Sequence, residues 1–375
     1  MYGLRDAPQI WRAVVRAMLI EREFVPLVGT QCVYVHPATG MLIVAHVDDF
    51  LVLGTKPELK GFLVGLQKDF ECTGDILGYD DSDVQVLKFL GRTITLTKDG
   101  LEWEGDKKHV PQFLAKLKED FGNIEQSKEM KGAKTPGVKK TDPDEERILM
   151  GPTASKSYRG LVALANFMAQ DRSDIGYASK EVSKTMSSPA ECDLGPLKRL
   201  GRYLTEFPPC ATCHYWQVAP SVLSAYSDSD WGGDQVTRRS TSGGCILRGG
   251  HLIMHWSRTQ QVISLSSAEA ELHALCKAAS EGLGIGYMAR EMLMPIELRL
   301  LTDSSAARGI VQRQGAGKVK HLDIKSLWIQ EREREKDLQV DKVPRLLNWS
   351  DLLTHHWSEA EGEAHLDGMW CSTRR

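Results

Sequence analysis

The stretch SVLSAYSDSDW, residues 221–231, runs apolar and β-branched residues straight into alternating serines and aspartates, the pattern of a strand that ends in polar surroundings. Two more strand-like runs follow, TSGGCILRGG at 241–250 and HLIMHWSR at 251–258, then a long helical period from Ser267 to Leu293 and a further strand in ELRLLTDSSAA at 297–307. Near the end, KVPRLL at 342–347 reads as a strand and WSDLLTHHW at 349–357 as the start of a helix. Three meandering strands followed by alternating helices and strands describe an α/β unit, a mixed five-stranded sheet flanked by helices.

Acids fall at topologically informative places in this unit. Asp228 ends the first strand, Glu271 lies in the long helix, Asp303 ends a later strand and Asp351 opens the last helix. Strand ends and helix starts on one edge of a sheet converge on a crevice. Four carboxylates meeting there would require cations. Oxygen-only ligands suit Mg²⁺ or Mn²⁺, and two such ions about 3.5–4 Å apart activate water and stabilise the leaving oxygen of a phosphodiester. Singly, each acid has an ordinary reading as a turn residue, a solvated helix face or an N-terminal helix charge; the set of four outweighs it.

The first half contains AHVDDFLVLG, residues 45–54, with Asp48 and Asp49 between apolar runs. Adjacent like charges fit a tight hairpin with an open tip, where a hard divalent metal would compensate them; a plain polar turn is the alternative. Around it the sequence predicts a helix over 8–20, strands over 31–54 punctuated by HPATG, a helix in PELKGFLVGLQKDF (57–70) and a hairpin in LKFLGRTITLTKDGLEWEG (87–105) about Asp99-Gly100. Together these make an α+β unit ending near residue 105. Residues 107–153, rich in Lys, Asp, Gly and Pro, read as a linker, with 129–148 as an extended connector. YRGLVALANFMAQ (158–170), SDIGYASKEVSKTM (173–186) and CDLGPLKRLGRYL (192–204) predict three helices, and the section is expected to be all-helical.

Net charge is only −3 over 375 residues, so nucleic acid would have to be bound by local patches. Lys198, Arg199 and Arg202 form a basic edge at helical spacing, read as a solvated face. No uncharged apolar run is long enough to span a bilayer, and the start MYGLRDAPQIW lacks signal-peptide character. An intracellular protein of cytoplasm or nucleus, without a membrane partner, is expected. The eight scattered cysteines fit reduced thiols.

The residues resemble, nearly end to end, the Pol polyprotein of Ty1/copia-type retrotransposons. YGLRDAPQIW (2–11), HVDD (46–49), LKFLG (87–91), YRGLV (158–162), SDIGYA (173–178) and LKRLGRYL (197–204) resemble its reverse transcriptase part in order. SDSDWGGD (227–234), TRRSTSGG (237–244), SSAEAEL (266–272), TDSSAA (302–307), KHLDI (320–324) and NWSDLLT (348–354) resemble its ribonuclease H part. The resemblance implies a polymerase metal hairpin at Val47-Asp48-Asp49, with Asp48 binding Mg²⁺ directly and Asp49 alongside. It implies Asp228, Glu271, Asp303 and Asp351 as ribonuclease H metal ligands. Glu271 is preferred to Glu269 because the family's acid precedes an apolar helical run, matched here by LHAL at 272–275.

Departures from the family bear on activity. Its polymerase uses a third carboxylate from a strand preceding the YGL segment, and the chain is expected to lack that strand, leaving a palm remnant with an exposed sheet edge and no DNA synthesis. His46 replaces a tyrosine and His355 a lysine. CATCH, with Cys210, Cys213 and His214, fits a c-type haem pattern, but no second CxxC accompanies it and it is read as chance. Lys320-His321-Leu322-Asp323 is read as the start of a helix near the ribonuclease H site, with a structural role.

The expected organisation is a reverse transcriptase palm remnant over 1–106, a linker and helical thumb or connection region over 107–219, and a ribonuclease H-like domain over 220–375. The expected activity is metal-dependent hydrolysis of the RNA strand of RNA:DNA hybrids. The alternative is a catalytically inactive remnant that at most binds nucleic acid. Partners would be an RNA:DNA hybrid, or an RNA template with a DNA primer.

Overall fold

The computed structural model describes residues 5–122, 132–139, 147–315, 317 and 324–373. Parts of the YGL segment and of the connector, and Lys320 to Asp323, lie outside them. The chain begins with helix α1 (Ala7–Glu21), whose Val15, Met18 and Leu19 bury one face. Its neighbour is an antiparallel sheet of β1 (Val25–Pro26), β2 (Val33–Val35), β3 (Leu42–His46) and β4 (Asp49–Leu53), in that order. Phe24, Tyr34, Met41 and Ile43 complete this core. Helix α2 (Lys56–Asp69) opens on a capping box, the Glu58 carboxylate accepting from the Thr55 backbone N–H at 2.7 Å. Among the described residues no strand pairs with the outer edge of β4.

The hairpin about Asp99-Gly100 forms as β6 (Arg92–Thr97) and β7 (Gly100–Glu104), preceded by β5 (Val86–Phe89). It does not extend the first sheet. Residues 211–215 and 371–372 join it instead, so the divisions expected after 106 and 219 run through one antiparallel sheet. Gly100 makes that pairing feasible: a Cβ there would lie 2.2 Å from the His214 carbonyl oxygen.

Within the stretch expected as linker, His109–Phe121 is helix α3, burying Val110, Phe113, Leu117 and Phe121 at helical spacing. Its apolar period outweighs the polar composition on either side. Helices α4 (Pro152–Met168), α5 (Gly176–Ser183) and α6 (Leu194–Glu206) follow, sharing a core of Phe113, Leu117, Tyr158, Leu161, Leu197 and Leu200. Arg199 on α6 is not merely solvated: its guanidinium donates to the Thr135 carbonyl at 2.9 Å and the Thr135 hydroxyl at 2.7 Å. CATCH lies on β8 (Ala211–Tyr215) and just before it, so the section is not all-helical. Cys210 and Cys213 are buried, and neither forms a disulfide among the described residues.

The C-terminal unit contains β9 (Val222–Ser229), β10 (Thr241–Arg248), β11 (His251–Thr259), α7 (Ser267–Glu291), β12 (Glu297–Thr302), α8 (Ser305–Val311), α9 (Trp328–Arg334), β13 (Leu338–Lys342), α10 (Glu359–Gly368) and β14 (Cys371–Ser372). Its five-stranded sheet has the order β11-β10-β9-β12-β13 and is mixed: β9 pairs antiparallel with β10 and parallel with β12. The centre of this sheet is apolar, Leu223, Ala225, Ile246, Leu300 and Val340 packing with Leu272, Leu275 and Ala278 of α7. The strand expected in KVPRLL lies earlier, at Leu338–Lys342; Pro344, which has no N–H for a ladder, leads into a 3₁₀ turn. Residues Trp349–Leu353 likewise form a 3₁₀ turn, and the last helix starts at Glu359. No described helix is long and apolar enough to cross a membrane.

Burial and the neighbouring His251 push the pKa of His214 down to about 4, from an ordinary 6.5. The unfolded chain therefore binds a proton that the folded one excludes, and His214 subtracts stability as pH falls from about 6.5 towards 4. Thermal unfolding of wild type and His214→Gln at pH 7 and pH 5 is expected to show the wild type losing about 2 kcal/mol more over that interval. Equal losses would contradict this account of β8.

Candidate metal centre

Asp228 stands next to last on β9, at the centre of the sheet, and is buried. Its partner across the ladder is Gly243, where a Cβ would sit 2.6 Å from the Thr354 methyl and 2.9 Å from the Ser350 carbonyl. Glycine there lets the 349–353 turn close over the strand end. Two further polar groups hold that turn. The Asn348 amide donates to the Ser227 carbonyl at 3.1 Å and accepts from the Ser350 hydroxyl at 2.6 Å. The Thr354 hydroxyl donates to the Asp228 carboxylate.

Glu271 projects from the second turn of α7, and Asp303 follows the last residue of β12. Oxygens of Asp228, Glu271 and Asp303 all lie within 4.8 Å of one another. Glu269, the other acid of the SSAEAEL segment, is engaged at the helix start, accepting the Leu265 N–H at 2.6 Å. Asp351 lies in the adjacent turn, 3.7 Å from the Arg345 guanidinium and 3.5 Å from the His355 ring.

The electrostatics follow from this crowding. Burial, then the charges of Asp351 and Asp303, push Asp228 up to about 7 against the hydrogen bond from Thr354. Glu271 is pushed up to about 9 by burial and by Asp228 and Asp303. Asp303 is raised by burial and Asp351, with Arg345 and Lys342 opposing. One Glu271 oxygen, Oε2, is buried without a hydrogen-bond partner. Converging hard oxygens, mutual repulsion and an orphaned acceptor fit a divalent cation such as Mg²⁺ or Mn²⁺.

Asp48 and Asp49 are placed differently. The ladder pairs His46 with Asp49, leaving Val47-Asp48 as a two-residue loop with both aspartates exposed. The apolar strands pass no buried charge. Val47 has φ 54°, a left-handed conformation that a β-branched residue rarely adopts, and its carbonyl accepts from the Trp11 indole. Among the described residues no third His, Cys, Asp or Glu gathers with these two aspartates.

Sequence reading passed over Asn348, Thr354 and Gly243. NWSDLLT and TSGG carried the signal, since a polar residue beside an expected ligand and a glycine inside a strand both mark close approach. It also passed over the bracing of the loop after Asp228 by α5. The Lys180 ammonium donates to the Thr241 hydroxyl at 2.7 Å, the Thr241 N–H to Asp230 at 2.5 Å, and Lys184 pairs with Asp234 at 3.2 Å.

No family model matches the chain. It is 28% identical over 292 residues to a retrovirus-related Pol polyprotein from transposon RE1 of Arabidopsis thaliana, covering 75% of this chain and 18% of that protein. It is 24% identical over 368 residues to one from transposon TNT 1-94 of Nicotiana tabacum, covering 94% and 26%. Against the Ty1-NL2 Gag-Pol polyprotein of Saccharomyces cerevisiae it is 22% identical over 367 residues, covering 94% and 20%. The chain thus spans 18–26% of the length of these relatives. Among solved structures, a foamy viral protease-reverse transcriptase in complex with RNA/DNA hybrid matches with TM-score 0.52 and 14% identity, over 92% of this chain and 39% of that one. Over most of its length the chain therefore shares the fold of that protease-reverse transcriptase. The relatives that cover most of the chain are copia/Ty1-type retrotransposon Pol polyproteins.

The raised carboxyls carry a sign that can be checked. Folded values of about 7 for Asp228 and about 9 for Glu271 exceed the ordinary 3.8 and 4.5, so protonation stabilises the metal-free fold at low pH and the benefit is lost as pH rises through 7 to 9. Metal-free wild type is expected to melt at lower temperature at pH 9 than at pH 7. Glu271→Gln should remove much of that slope and melt above wild type at pH 9. Parallel profiles would contradict the crowding described.

Proposed function

We propose that this chain is a reverse transcriptase and ribonuclease H segment of a retrotransposon Pol polyprotein whose retained activity is hydrolysis of the RNA strand of RNA:DNA hybrids. The division is 1–106 as palm, 107–219 as connector and helical region, and 220–375 as the ribonuclease H-like unit. The observation that supports the reading most is the trio Asp228, Glu271 and Asp303, from three separate elements, with oxygens within 4.8 Å.

Asp228, Glu271 and Asp303 would hold divalent ions, with Asp351 at the margin. Mg²⁺ or Mn²⁺ bound there would supply water activation and neutralise charge on the leaving oxygen of the phosphodiester. Thr354 orients Asp228 by hydrogen bonding its carboxylate. Exposed Arg345 and Lys342, which draw down the pKa of Asp303, would attract the scissile phosphate to the mouth of the site. Hybrid would be distinguished from DNA by its 2′-hydroxyls and groove shape.

Asp48 and Asp49 are proposed as two carboxylates of a polymerase site acting on an RNA template with a DNA primer. Two exposed acids without a third cannot clamp two metals and a triphosphate, so no DNA synthesis is proposed for the described residues alone.

The assay is incubation of the purified chain with an RNA:DNA hybrid labelled on either strand. With Mg²⁺ or Mn²⁺ the RNA strand is expected to be cut and the DNA strand left intact, with activity abolished by chelation and lowered at least about 100-fold by Asp303→Asn. No cleavage by wild type, or equal cleavage by the variant, would overturn the enzymatic reading and leave the chain as at most a nucleic-acid-binding protein.

A further inference from the structure

We propose that Gln260 is a positioning residue that sets the spacing between Asp228 and Glu271. Gln260 follows the last residue of β11 and is buried, with 7% of its surface exposed. Its side-chain NH₂ lies 2.9 Å from the Ala270 carbonyl, 2.9 Å from the Ser242 hydroxyl and 3.2 Å from the Ser229 hydroxyl. The amide oxygen accepts from the Ser264 hydroxyl at 3.0 Å, and the backbone N–H donates to Ser240 at 2.7 Å. The Ala270 carbonyl can only accept, which fixes the end of the amide that faces α7.

The partners give this cluster its significance. Ala270 immediately precedes Glu271 on α7, Ser229 immediately follows Asp228 on β9, and Ser242 is the cross-strand partner of Ser229. One amide thus fastens the backbone beside one acid to side chains beside the other. Asp228 and Glu271 belong to different elements and repel each other when no cation lies between them, so helix and strand are pressed apart where Gln260 joins them. A rigid brace keeps the donors at ligand separation and lowers the reorganisation that ion binding requires. This inference rests on reading Asp228, Glu271 and Asp303 as metal ligands.

The test titrates the full chain with Mn²⁺, counting free ion by electron paramagnetic resonance, with Asp303→Asn defining the signal that belongs to this site. Gln260→Met keeps the volume and removes the hydrogen bonds. Gln260→Glu keeps the shape but offers the Ala270 carbonyl no donor while ionised. Either variant, folded by circular dichroism, is expected to bind Mn²⁺ about tenfold more weakly. The Mg²⁺ needed for half-maximal hybrid cleavage should rise similarly, while the rate at saturating Mg²⁺ changes much less. Unchanged Mn²⁺ binding in a folded variant overturns the proposal, and so does unfolding of both variants, which would make Gln260 a determinant of the fold. Wild type that binds Mn²⁺ without cutting hybrid would sink the hydrolytic reading alone. Wild type with no Asp303-dependent Mn²⁺ would sink both.

Discussion

Repulsion among Asp228, Glu271 and Asp303 is the constraint against which the C-terminal unit is built. Two ionised carboxylates about 4 Å apart repel by about 4 kcal/mol at an effective dielectric near 20. Three such pairs would take a large share of the roughly 5–15 kcal/mol that holds a folded domain together. Burial first, and this repulsion second, raise the pKa of Asp228 and Glu271, so protonation relieves the strain when no ion is bound. A divalent cation relieves it while leaving the carboxylates charged and available.

The surrounding structure can be understood as what keeps these acids together. The apolar centre of the mixed sheet packs on α7 and fixes the register of β9 against β12. Polar groups then set the finer geometry: Asn348 and Thr354 draw the 349–353 turn onto the strand end, and Gln260 joins it to the helix. The helical region takes part as well. One continuous core contains Leu161 and Leu197 together with Leu247, Leu353 and Leu366, and the five-stranded sheet through β7, β8 and β14 ties the last residues to the hairpin at 92–104. The C-terminal unit is thus fastened to the elements that precede it at its sheet, its core and the Lys180 and Lys184 contacts.

Much of this was legible in the residues. Alternation in 221–258 and the long helical period after Ser267 announced a mixed sheet flanked by helices, because each element buries a face of its own. Asp228, Glu271 and Asp303 stood out because strand ends and helix starts share one edge. What escaped was set by long-range pairing. Helix α3 was hidden by charged and glycine-rich flanks, although its apolar spacing was present. Strand β8 and its pairing with β7 and β14 depend on contacts between residues more than a hundred positions apart, which no local pattern encodes. Asn348 and Gln260 look like ordinary polar residues until burial shows that their amides serve neighbouring backbone.

The hairpin at Asp48-Asp49 and the acids near Asp228 present opposite arrangements of like charge. At the hairpin the carboxylates are adjacent and exposed, Asp48 in a strained two-residue loop and Asp49 at the start of β4. At β9 they come from distant residues, lie buried or half-buried, and leave a Glu271 oxygen without a partner. The latter is the site that a hard cation would complete. The most direct test is an anomalous difference map at the manganese edge from crystals of the protein grown with Mn²⁺. The account predicts a peak among Asp228, Glu271 and Asp303 that disappears in Asp303→Asn. A map with no peak there, or with its only peak at Asp48 and Asp49, would contradict it.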